Sequence, residues 1–228
     1  MAFKPSFNKE TGVVKVLLRL SYCKVFEKTA STEGGKLLHR TNGLIDKNTE
    51  EGKASIGVIN EAIKHLISTT WPGKDPAKFK EALGGDGPKS RWPLFDGDKY
   101  VNDEGDVREG YAGKRYLKLT NDRKFKLKKR NGEDFDDIDE AKELFVSGHW
   151  AIGYFHMYPI KDAKKGGNGI FTTGDALQFY KRDEQFSGGG IDDSEFDNYG
   201  DDEDDDFDSK PKGGGKSKAG SIDDDDLI

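Results

Sequence analysis

Alternation of apolar and polar side chains over residues 13–20, VVKVLLRL, constrains the fold most strongly. One face of an extended chain here carries Val14, Val16, Leu18 and Leu20. The other face carries Lys15 and Arg19, with Leu17 between them. Because successive side chains of a strand point to opposite faces, this pattern predicts a strand with one face in a core and one cationic face outside.

Three later segments also predict strands. RYLKL at 115–119 and KFKLKK at 124–129 alternate, and the short turn between them indicates a hairpin. HWAIGYFHMYPI at 149–160 is the longest apolar and aromatic segment and is bulky on both faces. DALQFYK at 175–181 predicts the last strand, because three glycines that follow at 188–190 are typical of a linker.

One main helix is predicted over 54–71, with Ser55 as its N-cap and Pro72 with Gly73 at its end. Its isoleucines and leucine recur at helical spacing: Ile56, Ile59, Ile63, Leu66 and Ile67. Residues 73–110 predict long loops with a short helix around 77–83. A parallel α/β sheet needs a helix in each crossover, so the sequence favours a mainly β fold, an embellished OB-like Greek-key barrel with one main helix.

Charge divides the chain into two domains. Residues 191–228 hold 15 Asp and Glu against 4 Lys, whereas residues 1–190 hold 33 basic and 28 acidic residues. Like-charge repulsion predicts a disordered acidic tail after a mildly basic body over 1–190. Such asymmetry favours contact between the body and nucleic acid.

Other classes find little support in the sequence. A single cysteine, Cys23, and a start without a secretory pattern predict a cytoplasmic protein. No apolar run is long enough to predict a membrane span. The four scattered histidines give no zinc spacing, and GGGKS at 213–217 lacks the first glycine of a phosphate loop. We therefore expect no cofactor and no metal.

Cations and aromatic rings alternate on the predicted outer strand faces. Single strands need both groups, because cations follow the phosphates and bases stack on rings. The sequence predicts a DNA-binding face made of Lys15, Arg19, Arg115, Tyr116, Lys118, Lys126, Lys128, Trp150, Tyr154 and Tyr158. The alternative is that the rings belong to the core and the lysines to a solvated sheet face.

The end of the tail combines charge with apolar side chains. It is formed by Asp223, Asp224, Asp225, Asp226, Leu227 and Ile228. Charge can steer an encounter and the two apolar side chains can anchor it, so this tip is a candidate protein-docking site. The alternative is a tail that only keeps the protein in solution.

Two rival functions remain open from the residues. Clustered carboxylates can hold Mg²⁺, so a metal-dependent nuclease or phosphodiesterase would use Asp96, Asp98, Asp103, Glu104 and Asp106. Alternatively, an interaction protein would use the acidic tail as a mimic of nucleic acid, and its body would then have no affinity for DNA.

Four segments occur in an order that resembles a known family: WPLFDGD (92–98), GYAGKRYLKL (110–119), VSGHWAIGYFHMYPI (146–160) and ALQFYKRDEQFSGG (176–189). They resemble tailed-phage single-stranded-DNA-binding proteins, long catalogued as a domain of unknown function. The resemblance covers roughly residues 13–190, and the acidic tail follows the same plan.

This resemblance implies an OB fold that binds single-stranded DNA without reading sequence in phage replication, repair or recombination. It implies no catalytic residue, and therefore no enzyme. It also implies a tail that competes with DNA and recruits replication proteins such as a polymerase, helicase or primase. Tails of this kind commonly end in an aromatic residue, whereas this chain ends in Leu227-Ile228.

Overall fold

The computed structural model describes residues 3–186. Its strands are β1 (Ser6–Phe7), β2 (Val14–Thr29), β3 (Leu38–Asp46), β4 (Phe95–Asp96), β5 (Lys114–Asn121), β6 (Lys126–Lys128), β7 (Trp150–Ile160) and β8 (Gly169–Lys181). Its helices are α1 (Glu50–Thr70), α2 (Pro76–Ala82) and α3 (Ile138–Leu144). The predicted acidic tail and the predicted boundary at residue 190 lie outside the described residues.

Five strands close into a barrel. β2 pairs antiparallel with β3 and β7, β3 pairs with β5, and β7 pairs with β8. The barrel closes where β5 and β8 run parallel, at the pair Thr120–Thr173. This strand order is that of an OB-like barrel, so the predicted fold class is confirmed.

Side chains complete the closure between β5 and β8. Thr172 Oγ1 donates to the carbonyl of Lys118 at 2.6 Å, and Asn121 Nδ2 donates to the carbonyl of Gly174 at 2.7 Å. Thr173 Oγ1 donates to the carbonyl of Thr120 at 3.2 Å. We call this junction the β5/β8 seam.

Leu18 occupies the barrel interior where its two neighbouring strands carry glycine. A Cβ at Gly43 of β3 would lie 2.6 Å from Leu18 Cδ1, and a Cβ at Gly153 of β7 would lie 2.5 Å from the same atom. The Leu18 side chain is fully buried, as are Val14, Val16 and Leu20. The alternation over 13–20 therefore predicted the inner face of β2 correctly.

Helix α1 begins earlier than the sequence predicted. Its N-cap is Thr49, whose Oγ1 accepts from the backbone N–H of Gly52 at 3.1 Å. Ser55, the predicted cap, lies inside the helix and is buried. The apolar side of α1 packs into the main core through Ile59, Ile63 and Ile67.

The predicted hairpin between 115–119 and 124–129 is wrong. The short helix near 77–83 is confirmed as α2, whereas β6 pairs in parallel with β8 rather than with β5. Phe125 explains the difference, because its ring is buried against Gly174, where a Cβ would lie 2.2 Å from Phe125 Cε1. That insertion carries the chain from β5 across to the edge of β8.

Within residues 3–186, no helix is both long enough and apolar enough to cross a membrane.

Replacing Gly43 with alanine should lower the free energy of unfolding by about 1–3 kcal/mol, because Leu18 is held by both neighbouring strands and cannot move away from the new methyl group. Urea unfolding measures the change. Gly57→Ala is the matched control, since Gly57 lies exposed on α1 with open space around it and should gain about 0.5–1 kcal/mol. A Gly43→Ala protein as stable as the parent would contradict the packing argument.

Candidate nucleic-acid interface

Antiparallel pairing between β2 and β7 brings four of the predicted DNA-binding residues onto one outer face. Lys15 lies opposite Tyr154, and Arg19 lies opposite Trp150. All four side chains are half-buried, while their neighbours along β2 point into the core. We call this surface the β2/β7 face.

Cations on this face lie against aromatic rings. The Lys15 ammonium is 5.4 Å from the Tyr154 ring centroid and 5.6 Å from that of Phe3. The Lys181 ammonium is 5.2 Å from the Trp150 ring. Such pairs leave part of each ring and of each charge available to a ligand.

Sequence reasoning missed several members of this face. Tyr180 lies 6.5 Å from Phe3 between ring centroids, and the Arg130 guanidinium is 5.3 Å from the Tyr180 ring. Tyr180 and Lys181 lie in the predicted last strand, but successive residues of a regular strand point to opposite faces, so alternation could have indicated only one of them. An irregularity in the pairing of β7 with β8 at this point brings both to the same face. Phe3 and Arg130 come from outside the strands, where no periodic pattern marks a side chain.

A groove of about 520 Å³ runs beside this face. Its walls include Arg19, Trp150, Tyr180 and Lys181 on one side and the first turn of α1 on the other. Within residues 3–186, Lys15, Arg130 and Lys181 form no ion pair with a carboxylate, so their charges are available to phosphates. The groove therefore offers unpaired cations and rings together.

The described chain ends by crossing this face. Trp150 Nε1 donates to Asp183 Oδ2 at 2.6 Å, and Arg19 Nη2 donates to the carbonyl of Glu184 at 2.9 Å. The Arg19 guanidinium lies 4.5 Å from the Phe186 ring. Gly148, with φ of +103°, lies directly beneath, where a Cβ would be 2.2 Å from the Glu184 carbonyl oxygen. We call residues 183–186 the strap.

Contact with the β2/β7 face favours the ionised form of one strap carboxyl. The hydrogen bond from Trp150 holds the pKa of the Asp183 carboxyl below its usual value. A carboxylate of this chain therefore occupies the indole N–H of Trp150.

Tyr116 does not face outward, so its prediction as a stacking residue is wrong. It is fully buried, with its ring centroid 4.9 Å from that of Phe95. Residues 84–113 cover the outer face of β3 and β5, and their Phe95 and Tyr111 form a second apolar cluster with Leu44 and Tyr116. Burial there raises the pKa of the Tyr116 hydroxyl.

Arg115 is engaged in an ion network with that covering segment. It donates to Asp86 at 2.7 Å, and Lys80 and Lys99 bind the same carboxylate at 2.7 Å and 2.6 Å. Burial alone would raise the pKa of Asp86, but hydrogen bonds from the three cations hold it well below its usual range. Arg115, predicted as a DNA-binding cation, is therefore paired with a carboxylate and holds the covering segment in place.

The remaining predicted residues lie away from the β2/β7 face. Lys118 lies 4.4 Å from the Phe95 ring, and Tyr158 stands beside Phe171 at the far end of β7. On the short strand β6, Lys126 is exposed, whereas Lys128 pairs with Asp134 at 2.7 Å.

Two carboxylates of the rival nuclease site converge on a lysine rather than on a position for a metal ion. Lys47 binds Asp96 at 3.0 Å and Asp98 at 2.5 Å. Asp98 also accepts from the backbone N–H of Gly113 at 2.6 Å. Across the described part of the chain, no group of three or more His, Cys, Asp or Glu side chains is arranged to hold a metal ion.

Comparison with known proteins decides the family. The profile of the family described as "Enterobacter phage Enc34, ssDNA-binding protein" matches residues 11–207. The chain belongs to this family. The resemblance recognised in the sequence is thereby confirmed.

Individual relatives agree with this membership. Protein p50 of Acyrthosiphon pisum secondary endosymbiont phage 1 is 28% identical over 174 residues, which cover 76% of this chain and 85% of that protein. The solved single-stranded DNA-binding protein from bacteriophage Enc34 in complex with ssDNA is 18% identical with a TM-score of 0.60, over 78% of this chain and 91% of that one. A further structure of the Enc34 protein is 18% identical with a TM-score of 0.58, over 85% of this chain and 98% of that one. At these identities the solved structures show a shared fold.

The Asp86 network makes stability depend on pH. Because its pKa is depressed in the folded state, Asp86 should contribute stability at neutral pH that is lost as the pH falls below about 4, the ordinary aspartate range. Asp86→Asn should therefore lower the free energy of unfolding at pH 7 by about 3 kcal/mol. Urea unfolding across a pH series should show this gap narrowing in acid. The exposed Asp122→Asn is the control, and a gap independent of pH would contradict the assignment.

Proposed function

We propose that this protein binds single-stranded DNA, without reading its sequence, through the β2/β7 face. One observation carries the proposal: unpaired cations and aromatic rings alternate there in contact, as in the Lys15–Tyr154 and Lys181–Trp150 pairs. Cations attract any phosphate and rings stack with any base, so this combination is independent of sequence. Family membership and the solved Enc34 complex with ssDNA support the same ligand.

Coating of exposed single strands is the role that follows from such binding. A protein that covers phosphates and bases keeps nucleases and base pairing away from the strand. We place this role in phage DNA replication, repair or recombination in the host cytoplasm. It requires no cofactor and no catalytic residue.

The acidic tail, residues 191–228, would regulate the same face. Its net charge of −11 makes it a tethered competitor for cations that otherwise bind phosphates. The strap supports this idea, because it brings the described chain to Arg19 and Trp150 immediately before the tail begins. The tip at 223–228 would dock a replication protein such as a polymerase, helicase or primase.

Binding should prefer single strands over duplex and weaken with salt, with a log–log slope of about −0.7 per phosphate neutralised. The site should span roughly 4–16 nucleotides. Titrations of labelled oligonucleotides at several salt concentrations measure both quantities. Tighter binding to duplex, or cleavage of the strand that depends on Mg²⁺, would contradict the proposal.

Variants that remove a ring should weaken DNA binding at every salt concentration, whereas variants that remove a charge should mainly change its salt dependence. Trp150→Ala or Tyr154→Ala should cost about 1–3 kcal/mol of binding through lost stacking, whereas Tyr154→Phe keeps the ring and should bind like the parent. Lys15→Ala should mainly flatten the salt slope, and the exposed Lys74→Ala is its control. Thermal unfolding verifies that each variant folds. Folded ring variants with parental affinity would show that these rings do not contact DNA.

Removing residues 191–228 should tighten DNA binding, most strongly at low salt, where charges are least screened. Unchanged DNA affinity at low salt after this truncation would contradict competition between the tail and DNA.

Removing only Leu227 and Ile228 deletes no side-chain charge. It should leave DNA affinity unchanged while abolishing capture of a purified replication protein. Unchanged capture of that replication protein by the chain without Leu227 and Ile228 would contradict docking at the tip.

A further inference from the structure

A second group of rings and cations lies astride the β5/β8 seam. It surrounds a pocket of about 200 Å³ whose walls include Phe95, Lys118, Thr120, Tyr158 and Phe171. The pocket lies near the 161–168 loop, which joins β7 to β8. Two of its residues, Lys118 and Tyr158, are predicted DNA contacts that the β2/β7 face leaves out.

Lys118 is a largely covered cation without a counter-ion. Its ammonium donates to the carbonyl of Pro88 at 2.8 Å and lies 4.4 Å from the Phe95 ring. No carboxylate pairs with it within residues 3–186, and burial lowers its pKa. Because a buried charge is costly without a partner, an anion supplied from outside would stabilise this group.

One ring of the pocket, that of Tyr158, is open to solvent. Tyr158 is 42% exposed, and its ring centroid lies 5.9 Å from that of Phe171 with an angle of 31° between the planes. The Arg91 guanidinium covers Phe171 at 5.0 Å and donates to the carbonyls of Asn168 and Gly167. Tyr158 therefore presents a ring to solvent beside a fixed arginine.

Further cations lie on chain segments next to the pocket: Lys89 precedes the lining residue Ser90, and Lys164 and Lys165 belong to the 161–168 loop. Lys89, Lys164 and Lys165 are exposed and form no ion pair with a carboxylate among the described residues. The one acidic residue of the 161–168 loop, Asp162, accepts the backbone N–H of Lys164. The surface thus combines positive charge with an accessible ring, as the β2/β7 face does.

We propose that this seam cluster is a second contact for the same DNA strand, taking a base on Tyr158 and its phosphate towards Lys118 and Arg91. The inference rests on the proposed function and extends it. Trp150 and Tyr158 are eight residues apart on β7, about 26 Å of extended strand. Stacked nucleotides rise about 3.4 Å each, so roughly eight would be needed to reach both sites.

Length of the DNA strand is therefore the test. Oligothymidines of about 4 and about 16 nucleotides, the two ends of the usual range for one OB barrel, are titrated against the full chain. Tyr158→Ala and Lys118→Met should each weaken binding of the long strand about tenfold and leave that of the short strand unchanged. Trp150→Ala should weaken both.

Stability separates a ligand contact from a folding role. Lys118→Met removes an unpaired covered charge, so it should unfold at a temperature no lower than the parent while binding the long strand less well. Lys64→Met, which removes an exposed charge from α1, is the matched control and should change neither quantity. Photocrosslinking of the long strand with 5-bromodeoxyuridine should label the peptide that carries Tyr158.

The binding data distinguish a failure of the seam contact from a failure of the proposed β2/β7 binding face. If the Tyr158 and Lys118 variants bind the long strand like the parent while Trp150→Ala binds it weakly, the seam contact is wrong and the β2/β7 face stands. If Trp150→Ala and Tyr154→Ala also bind like the parent, the proposed function at that face is wrong, and the seam contact fails with it.

Discussion

The barrel depends on the fit of Leu18 between two glycines on neighbouring strands. Gly43 and Gly153 leave the space that its side chain fills, so β3 and β7 can both approach β2 closely. This fit accompanies the register of β2 against β7, and the register decides which outer side chains meet. The same register brings Lys15 opposite Tyr154 and Arg19 opposite Trp150 on the outer surface, so the interior packing and the outer cation–ring pairs belong to one strand alignment.

The sequence predicted β2 well and β5 only in part, for one physical reason. A period of two identifies the two faces of a strand, but it does not indicate what covers the outer one. Within residues 3–186, Lys15 and Arg19 stay partly exposed, whereas residues 84–113 bury Tyr116 and engage Arg115. The partners that decide these positions are distant in sequence. Phe3 and Arg130 were missed because side chains outside strands follow no period.

The cations of residues 3–186 include some that pair with carboxylates and others that lie against aromatic rings. Lys47, Lys80, Lys99 and Arg115 neutralise carboxylates and hold the covering segment in place. Lys15, Arg130 and Lys181 have rings as neighbours and no carboxylate partner within residues 3–186. A net charge counted from sequence cannot separate these groups, because pairing is a property of the folded chain. The small excess of positive charge in the body therefore does not indicate which of its cations are available to a ligand.

The β5/β8 seam gives the barrel a preferred line of local opening. Backbone pairing there is registered at Thr120 and Thr173, and hydroxyl and amide side chains supply the neighbouring hydrogen bonds. Breaking a few such bonds costs less than separating one of the long antiparallel ladders, so transient breathing and amide hydrogen exchange would begin at this junction. The β5/β8 seam can therefore open locally while the ladders that join β2 to β3 and β7 remain paired.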